Sequence, residues 1–148
     1  MLEERAYWLA WSKIAGIGPI LLQRIHQHFG SLSEAWTAPL GAIAQVEGIG
    51  SKSLEAIGSG RSRLEPAVLL EEHRERNFTF WTPADPDYPR LLLEIPSPPP
   101  ILYYRGKVKI EENRGSIPMV GIVGTRNATE YGRRWTRKIS TALARHGF

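Results

Sequence analysis

The apolar positions of this chain change their period near its middle. From Leu2 to Ile14 they recur at helical spacing, through Ala6, Leu9, Ala10 and Ile14, which places them on one face of a helix. Pro19 to Phe29 repeats the pattern with Leu21, Leu22, Ile25 and Phe29. Ser31 and Ser33 are candidate caps for a short helical turn ending near Trp36. Ser51 to Ile57 predicts another short helix. Pro66 to Arg76 predicts a longer one, with proline at a tolerated first-turn position. Residues 1–75 therefore read as a small helical domain, and residues 76–148 as a second unit of different texture.

In that second unit Phe78 to Trp81 and Ile101 to Tyr104 are short runs rich in aromatic or branched residues, and both predict strands. The stretch TPADPDYPRLLLEIPSPPP lies between them. Its prolines exclude a central strand or a long helix, leaving a rigid loop with one helical turn at Pro89 to Glu94. Met119 to Val123 is a compact apolar run closed by Gly124, the profile of a buried strand. Thr129 to His146 predicts an amphipathic helix with Tyr131, Trp135, Ile139, Ala142 and Leu143 on one face. Arg133, Arg134, Arg137 and Lys138 cluster on the other, and Gly147 is a stop signal. Trp8, Trp11, Trp36, Trp81 and Trp135 each fall on an apolar stripe or strand and are expected to pack in the core.

Composition narrows the class. With 148 residues, 42% hydrophobic and 23% charged, the chain suits one ordinary domain or two small globular ones. Cysteine is absent, which removes disulfides and thiolate metal sites and suits a cytoplasmic location. The N-terminus has no basic leader region, and no apolar run approaches the roughly 20 residues of a membrane span. His26 and His28 face different sides of a helix, so no metal site is expected. Asp85 and Asp87 alternate with prolines and read as turn residues. No cofactor is expected. Net charge is +4, but residues 1–72 carry −2 and residues 73–148 carry +6, so an acidic partner favours the second half.

The helical half contains a repeat. Ile14-Ala-Gly16-Ile-Gly18 and Val46-Glu-Gly48-Ile-Gly50 align at an offset of 32 residues, and Leu22 and Ile25 then match Leu54 and Ile57. Each copy resembles the helix-hairpin-helix motif, in which backbone N–H groups at a helix start face a phosphate. This admits sequence-independent DNA contact at Gly48, Gly50, Ser51 and Lys52. A tight turn serving packing or a protein partner is the favoured reading. Pro19 removes a donor from the first copy, and the half is net acidic.

The stretch Val123 to Gly132 carries the principal candidate chemistry. A strand, a Gly-Thr-Arg loop and a helix form the opening unit of a nucleotide-fold sheet, whose ligands bind beyond the carboxyl ends of the strands. Gly124 permits close approach, Thr125 offers a hydroxyl, and Arg126 offers a fork for a phosphate. The helix dipole adds partial positive charge. Neither the dinucleotide G-x-G-x-x-G fingerprint nor the P-loop lysine pattern is present. A polymer backbone is thus the better anion, with a plain strand–helix turn as the alternative.

Several motifs in order carry a family resemblance. They are Asp87-Tyr-Pro-Arg-Leu-Leu92, Ile95-Pro-Ser-Pro-Pro-Pro100, Leu102-Tyr-Tyr-Arg-Gly106, Val120-Gly-Ile-Val-Gly-Thr-Arg126 and Tyr131-Gly132. Together with the Gly-Ile-Gly helical region they resemble the bacterial DNA-processing protein A family (DprA/Smf) across essentially the whole chain. The resemblance implies an α-then-α/β architecture: a small helix-hairpin-helix (SAM-like) domain at 1–75, then the first part of an extended Rossmann-like fold at 76–148. It implies single-stranded DNA binding in natural transformation, delivery of DNA to the RecA recombinase, homodimerisation and no catalytic activity. It carries phosphate contacts over to Gly124, Thr125 and Arg126, and with them Tyr131 and Gly132. The family continues past the position of Phe148 with further strand–helix units that supply the RecA and dimer surfaces. The chain is therefore expected to be an N-terminal fragment, poorly stable alone. Two rivals stay open. One is an enzyme of related fold acting on nucleoside monophosphates, for which Glu130 is the only local carboxylate. The other is a protein-interaction module or non-functional remnant.

Overall fold

The computed structural model describes residues 3–148. The first amphipathic segments form α1 (Glu4–Ser12), α2 (Pro19–Phe29) and α3 (Leu32–Thr37). Leu2, assigned by periodicity to the first helix, lies outside the described residues. α2 has its expected bounds, with Pro19 in its first turn and Gly30 left-handed after its end. Ser31 caps α3 by accepting the Glu34 N–H at 3.1 Å. α4 (Leu40–Ile43) is a single turn following Pro39, too short for periodicity to reveal.

α5 (Ser51–Arg63) runs six residues beyond its predicted end at Ile57, through Gly58 and Gly60. A glycine inside a helix costs about 1 kcal/mol relative to alanine. Packing offsets that cost, because Gly60 lets α5 press on Ile14. A Cβ at residue 60 would lie 2.9 Å from the Ile14 Cγ1. α6 (Pro66–Glu75) then packs along α1.

Trp11, Leu22, Ile25, Leu32, Ile43 and Ile57 are fully buried and form the centre of the helical core. The Trp11 Nε1–H donates to the Leu32 carbonyl at 3.1 Å, so the indole is satisfied as well as buried. The Glu4 carboxylate accepts the backbone N–H groups of Leu32 and Ser33 at the start of α3. It ties α1 to two donors that the helix itself cannot satisfy. Glu4→Ala should therefore destabilise the chain by about 1–2 kcal/mol, read as a lower urea midpoint with an unchanged slope.

Beyond α6 come β1 (Phe80–Trp81), α7 (Arg90–Leu93) and β2 (Leu102–Tyr103). The strands pair antiparallel, Phe80 opposite Tyr103 and Trp81 opposite Leu102. Thr79 and Tyr104 prolong the register: the Tyr104 N–H donates to the Thr79 carbonyl, and the Thr79 hydroxyl to the Tyr104 carbonyl. Phe80 joins Ala6, Leu9 and Leu70 in a second buried cluster, with Ile101 against both clusters. Apolar packing thus continues from α1 and α6 onto the sheet. In the proline-rich loop Asp85 accepts from the Thr82 N–H and hydroxyl at 2.7 and 2.9 Å, and from Arg5 at 2.7 Å. Tyr88 is buried, and its hydroxyl donates to the Pro99 carbonyl at 2.9 Å.

The chain ends with α8 (Ile110–Asn113), a turn periodicity does not reveal, and α9 (Glu130–Arg145). Two expectations are corrected here. Met119 to Val123 is not a strand and is not buried; Val123 is 98% exposed. A strand needs neighbours for its N–H and C=O groups, and the described sheet contains only β1 and β2. Trp135 is not a core residue: it is exposed, as are Tyr131 and Ile139 on the same face of α9. No residue of α9 is buried, because no described element covers that face. Trp8, Trp11 and Trp81 are buried as expected, and half-buried Trp36 meets Trp11 edge-on at 5.4 Å. The architecture is mainly helical with one small sheet, compatible with an α-then-α/β chain.

Candidate nucleic-acid interface

Gly124, Thr125 and Arg126 form an exposed segment leading into α9. The Thr125 hydroxyl accepts the Asn127 N–H at 3.3 Å, a local turn that positions the loop. Thr129 caps α9 by accepting the Gly132 N–H at 3.2 Å. Gly132 is therefore a capped donor rather than a free one. Gly124, Thr125, Thr129, Gly132, Arg133 and Arg137 border an open cleft of about 660 Å³. Beyond its own chain neighbours, no protein atom lies within 4 Å of the place a Gly124 Cβ would take, so the backbone there is open to a ligand.

Arg126 and Tyr131 are not part of that cleft wall. Arg126 is exposed and makes no ion pair among the described residues. Its guanidinium is thus uncommitted beside the cleft-forming loop. The Tyr131 ring packs on Trp135 at 6.1 Å and lies under the Arg134 guanidinium at 5.9 Å. Lys138 Nζ lies 4.9 Å from the Trp135 ring centre. Cationic and aromatic stripes of α9 therefore interlock instead of occupying opposite faces.

A second open concavity, about 720 Å³, runs along α9 between Arg133, Arg134, Arg137, Lys138 and Arg145. Glu130 is the one carboxylate on its wall, and it pairs with Arg133 at 3.7 Å. The other four cations have no carboxylate partner among the described residues. Such a row attracts a polyanion and has no built-in counter-charge.

A profile of the DNA recombination-mediator protein A family matches residues 79–148, which include this loop and α9. Over 146 residues the chain is 57% identical to Protein Smf of Synechocystis sp., covering 99% of this chain and 37% of that relative. The chain belongs to the DprA/Smf family. It spans a little over a third of the length of the curated relative. No solved structure matches it.

The secondary candidates in this DprA/Smf chain lie on the duplicated hairpin. Both copies adopt one geometry. Gly16 and Gly48 have φ of +79° and +90°, a left-handed turn open to glycine. The Ile17 N–H donates to the Ile14 carbonyl at 3.2 Å, and the Ile49 N–H to the Val46 carbonyl at 3.1 Å. Gly18 and Gly50 each precede a helix with nearly the same φ and ψ. Surroundings differ between the copies. Pro19 borders a narrow cleft of about 180 Å³ shared with Trp8, Gln23, Pro83 and Pro98. Lys52 borders an open cleft of about 600 Å³ with Lys13, Arg63 and Glu55. Gly48 itself is overlaid by Arg24, which donates to the Glu47 carbonyl at 2.9 Å. A Cβ at residue 48 would lie 2.7 Å from that guanidinium.

Lys13 and Arg63 are residues that linear reading passes over. Lys52 and Arg63 share one face of α5, and Lys13 joins them where Gly60 seats α5 on Ile14. Among the described residues no group of three or more His, Asp or Glu side chains is placed to hold a metal. No described helix is long and apolar enough to cross a membrane.

Proposed function

We propose that the chain binds single-stranded DNA without sequence preference, in a DNA-processing protein that serves natural transformation. The observation that carries this reading is the α9 row of Arg134, Arg137, Lys138 and Arg145, unpaired beside an equally unpaired Arg126. Arg126 grips a phosphate, with Thr125 as a hydroxyl donor and Gly124 giving the backbone access. Gly132 shapes the cleft and Tyr131 supports the helix start. A helix-hairpin-helix contact at Gly48, Gly50, Ser51 and Lys52 extends the track, helped by Lys13 and Arg63 across the same cleft. The helical half is SAM-like in this reading, and the second half opens a Rossmann-like domain. RecA and a second copy are the protein partners proposed for the whole family member, and the cytoplasm is its compartment. Glu130 is engaged with Arg133 in the first turn of α9, which favours a binding role over nucleotide hydrolysis.

Salt titration of a fluorescent oligo-dT tests the reading. Each phosphate neutralised on a single strand contributes a slope of about −0.7 to log K against log salt. Engagement of Arg126 and the four α9 cations should therefore give a slope of about −3.5. A flat titration, or preference for nucleoside monophosphate over the polymer, would overturn it.

A further inference from the structure

A third basic region lies away from α9, at the end of the small sheet. Asn77, with a left-handed φ of +54°, turns the chain out of α6 and delivers Phe78 to the sheet margin. The turn is held by the Asn77 N–H on the Arg74 carbonyl and the Phe78 N–H on the His73 carbonyl, both at 2.9 Å. Phe78 then meets Tyr103 at 5.9 Å between ring centres and 71° between planes, an aromatic corner. Both rings stay accessible, Phe78 being 46% and Tyr103 52% exposed. Isolated apolar exposure is ordinary; two rings held at a fixed angle are not.

Tyr103 is held in place. His73 is buried and its Nδ1 lies 2.8 Å from the Leu69 carbonyl, so Nδ1 carries the proton and donates. In the neutral ring Nε2 is then an acceptor, and the Tyr103 hydroxyl donates to it at 2.8 Å. The His73 ring also lies nearly parallel to Tyr103, at 13°. On the other face of the sheet Tyr104 stacks on buried Trp81 at 3.8 Å, which stiffens β2 from behind.

The corner opens into a cleft of about 750 Å³ bounded by Arg76, Phe78, Thr79, Tyr103, Tyr104 and Arg105, within the roughly 300–1,000 Å³ range of ligand sites. No carboxylate lies on its wall. Arg76 and Arg105 make no ion pair among the described residues. Pre-set aromatic faces between two uncommitted guanidinium groups match alternating flat bases and phosphates. An apolar peptide would leave both cations without counter-charge, and an acidic peptide would leave the rings unused.

We infer that this corner is a separate single-strand contact, in which a base stacks on the exposed outer face of Phe78 or Tyr103 while Arg76 and Arg105 take the flanking phosphates. The ligand class is that of the α9 reading, but no residue is shared with it. The test uses the 148-residue chain and an oligo-dT carrying photoreactive 5-iodouracil, with crosslinked peptides mapped by mass spectrometry. Crosslinks are expected at Phe78 or Tyr103. Phe78→Ala should weaken oligo-dT binding about tenfold while leaving affinity for an abasic oligonucleotide of equal length unchanged. Tyr103→Phe loses the hydroxyl bond to His73 but keeps the ring and its packing on His73, Phe78 and Phe80, and should bind far more tightly than Phe78→Ala. Crosslinks confined to residues outside 76–105, or an equal loss for the abasic strand, would overturn the inference. The crosslink is read on the unchanged chain, so it decides the matter even where Phe78→Ala folds poorly. Arg126→Ala should weaken both oligonucleotides and leave the crosslink position unmoved, which separates failure at this corner from failure at the α9 loop.

Discussion

Trp11→Ala should abolish the cooperative melt of the helical half. Trp11 is fully buried, meets Trp36 edge-on, and its indole N–H satisfies the Leu32 carbonyl. Truncating a buried tryptophan costs about 3–5 kcal/mol, and the lost indole hydrogen bond is part of that loss, worth about 1 kcal/mol. Domains of this size are stable by roughly 5–15 kcal/mol in total. The loss therefore consumes much or all of the margin. Circular dichroism at increasing temperature should show a broad, early transition, whereas Trp11→Phe should retain a cooperative one at lower temperature. A sharp melt within a few degrees of the parent chain would show that the core is organised around other residues.

Arg126→Ala should weaken single-strand binding by roughly ten- to a hundredfold, the scale of a charge-assisted contact to phosphate. The melt should not move, since the side chain is exposed and makes no ion pair. Arg126→Lys should recover part of the affinity: it keeps the charge and loses the bidentate fork. The salt slope of the alanine variant should fall in magnitude by about 0.7, the share of one contact. Unchanged affinity at moderate salt would remove the Gly-Thr-Arg loop from the interface and leave the α9 row as the sole carrier of the reading.

Local signals were readable where an element satisfies itself. α2 is bracketed by Pro19 and Gly30, and α9 by Thr129 and Gly147; both are visible as punctuation around an amphipathic run. α4 and α8 are single turns, shorter than the period that would reveal them. The end of α5 was hidden because its glycines argue against helix until Ile14 is seen packed on one of them. Met119 to Val123 shows the opposite limit. An apolar run states a requirement for neighbouring strands, and it cannot supply them.

The binding candidates divide in the same way. Arg126 and the α9 cations Arg133, Arg134, Arg137 and Lys138 are contiguous or helically spaced, so the pattern alone collects them, while Arg145 joins the row only in the structure. Lys13 with Lys52 and Arg63, or Phe78 with Tyr103, are gathered by tertiary packing or by strand register. Phe78 and Tyr103 also look like ordinary strand residues, and only their exposure separates them from Phe80, which shares their face and is buried. Orientation of the α9 stripes was legible in part. Cation–π seating of Arg134 and Lys138 over Tyr131 and Trp135 brings together side chains that a simple two-faced wheel keeps apart.

The duplicated Gly-Ile-Gly turn shows how twin modules part company while keeping one backbone. The first copy has no amide hydrogen at Pro19 and borders a narrow cleft whose other wall carries Pro83 and Pro98, from the second half of the chain. Its sibling kept Ser51 and Lys52 at an open rim. Substitutions around residue 19 should thus be felt as loosened architecture, and those around residue 52, if the proposed DNA contact is made there, as altered recognition, even though the underlying loop is the same shape in both places.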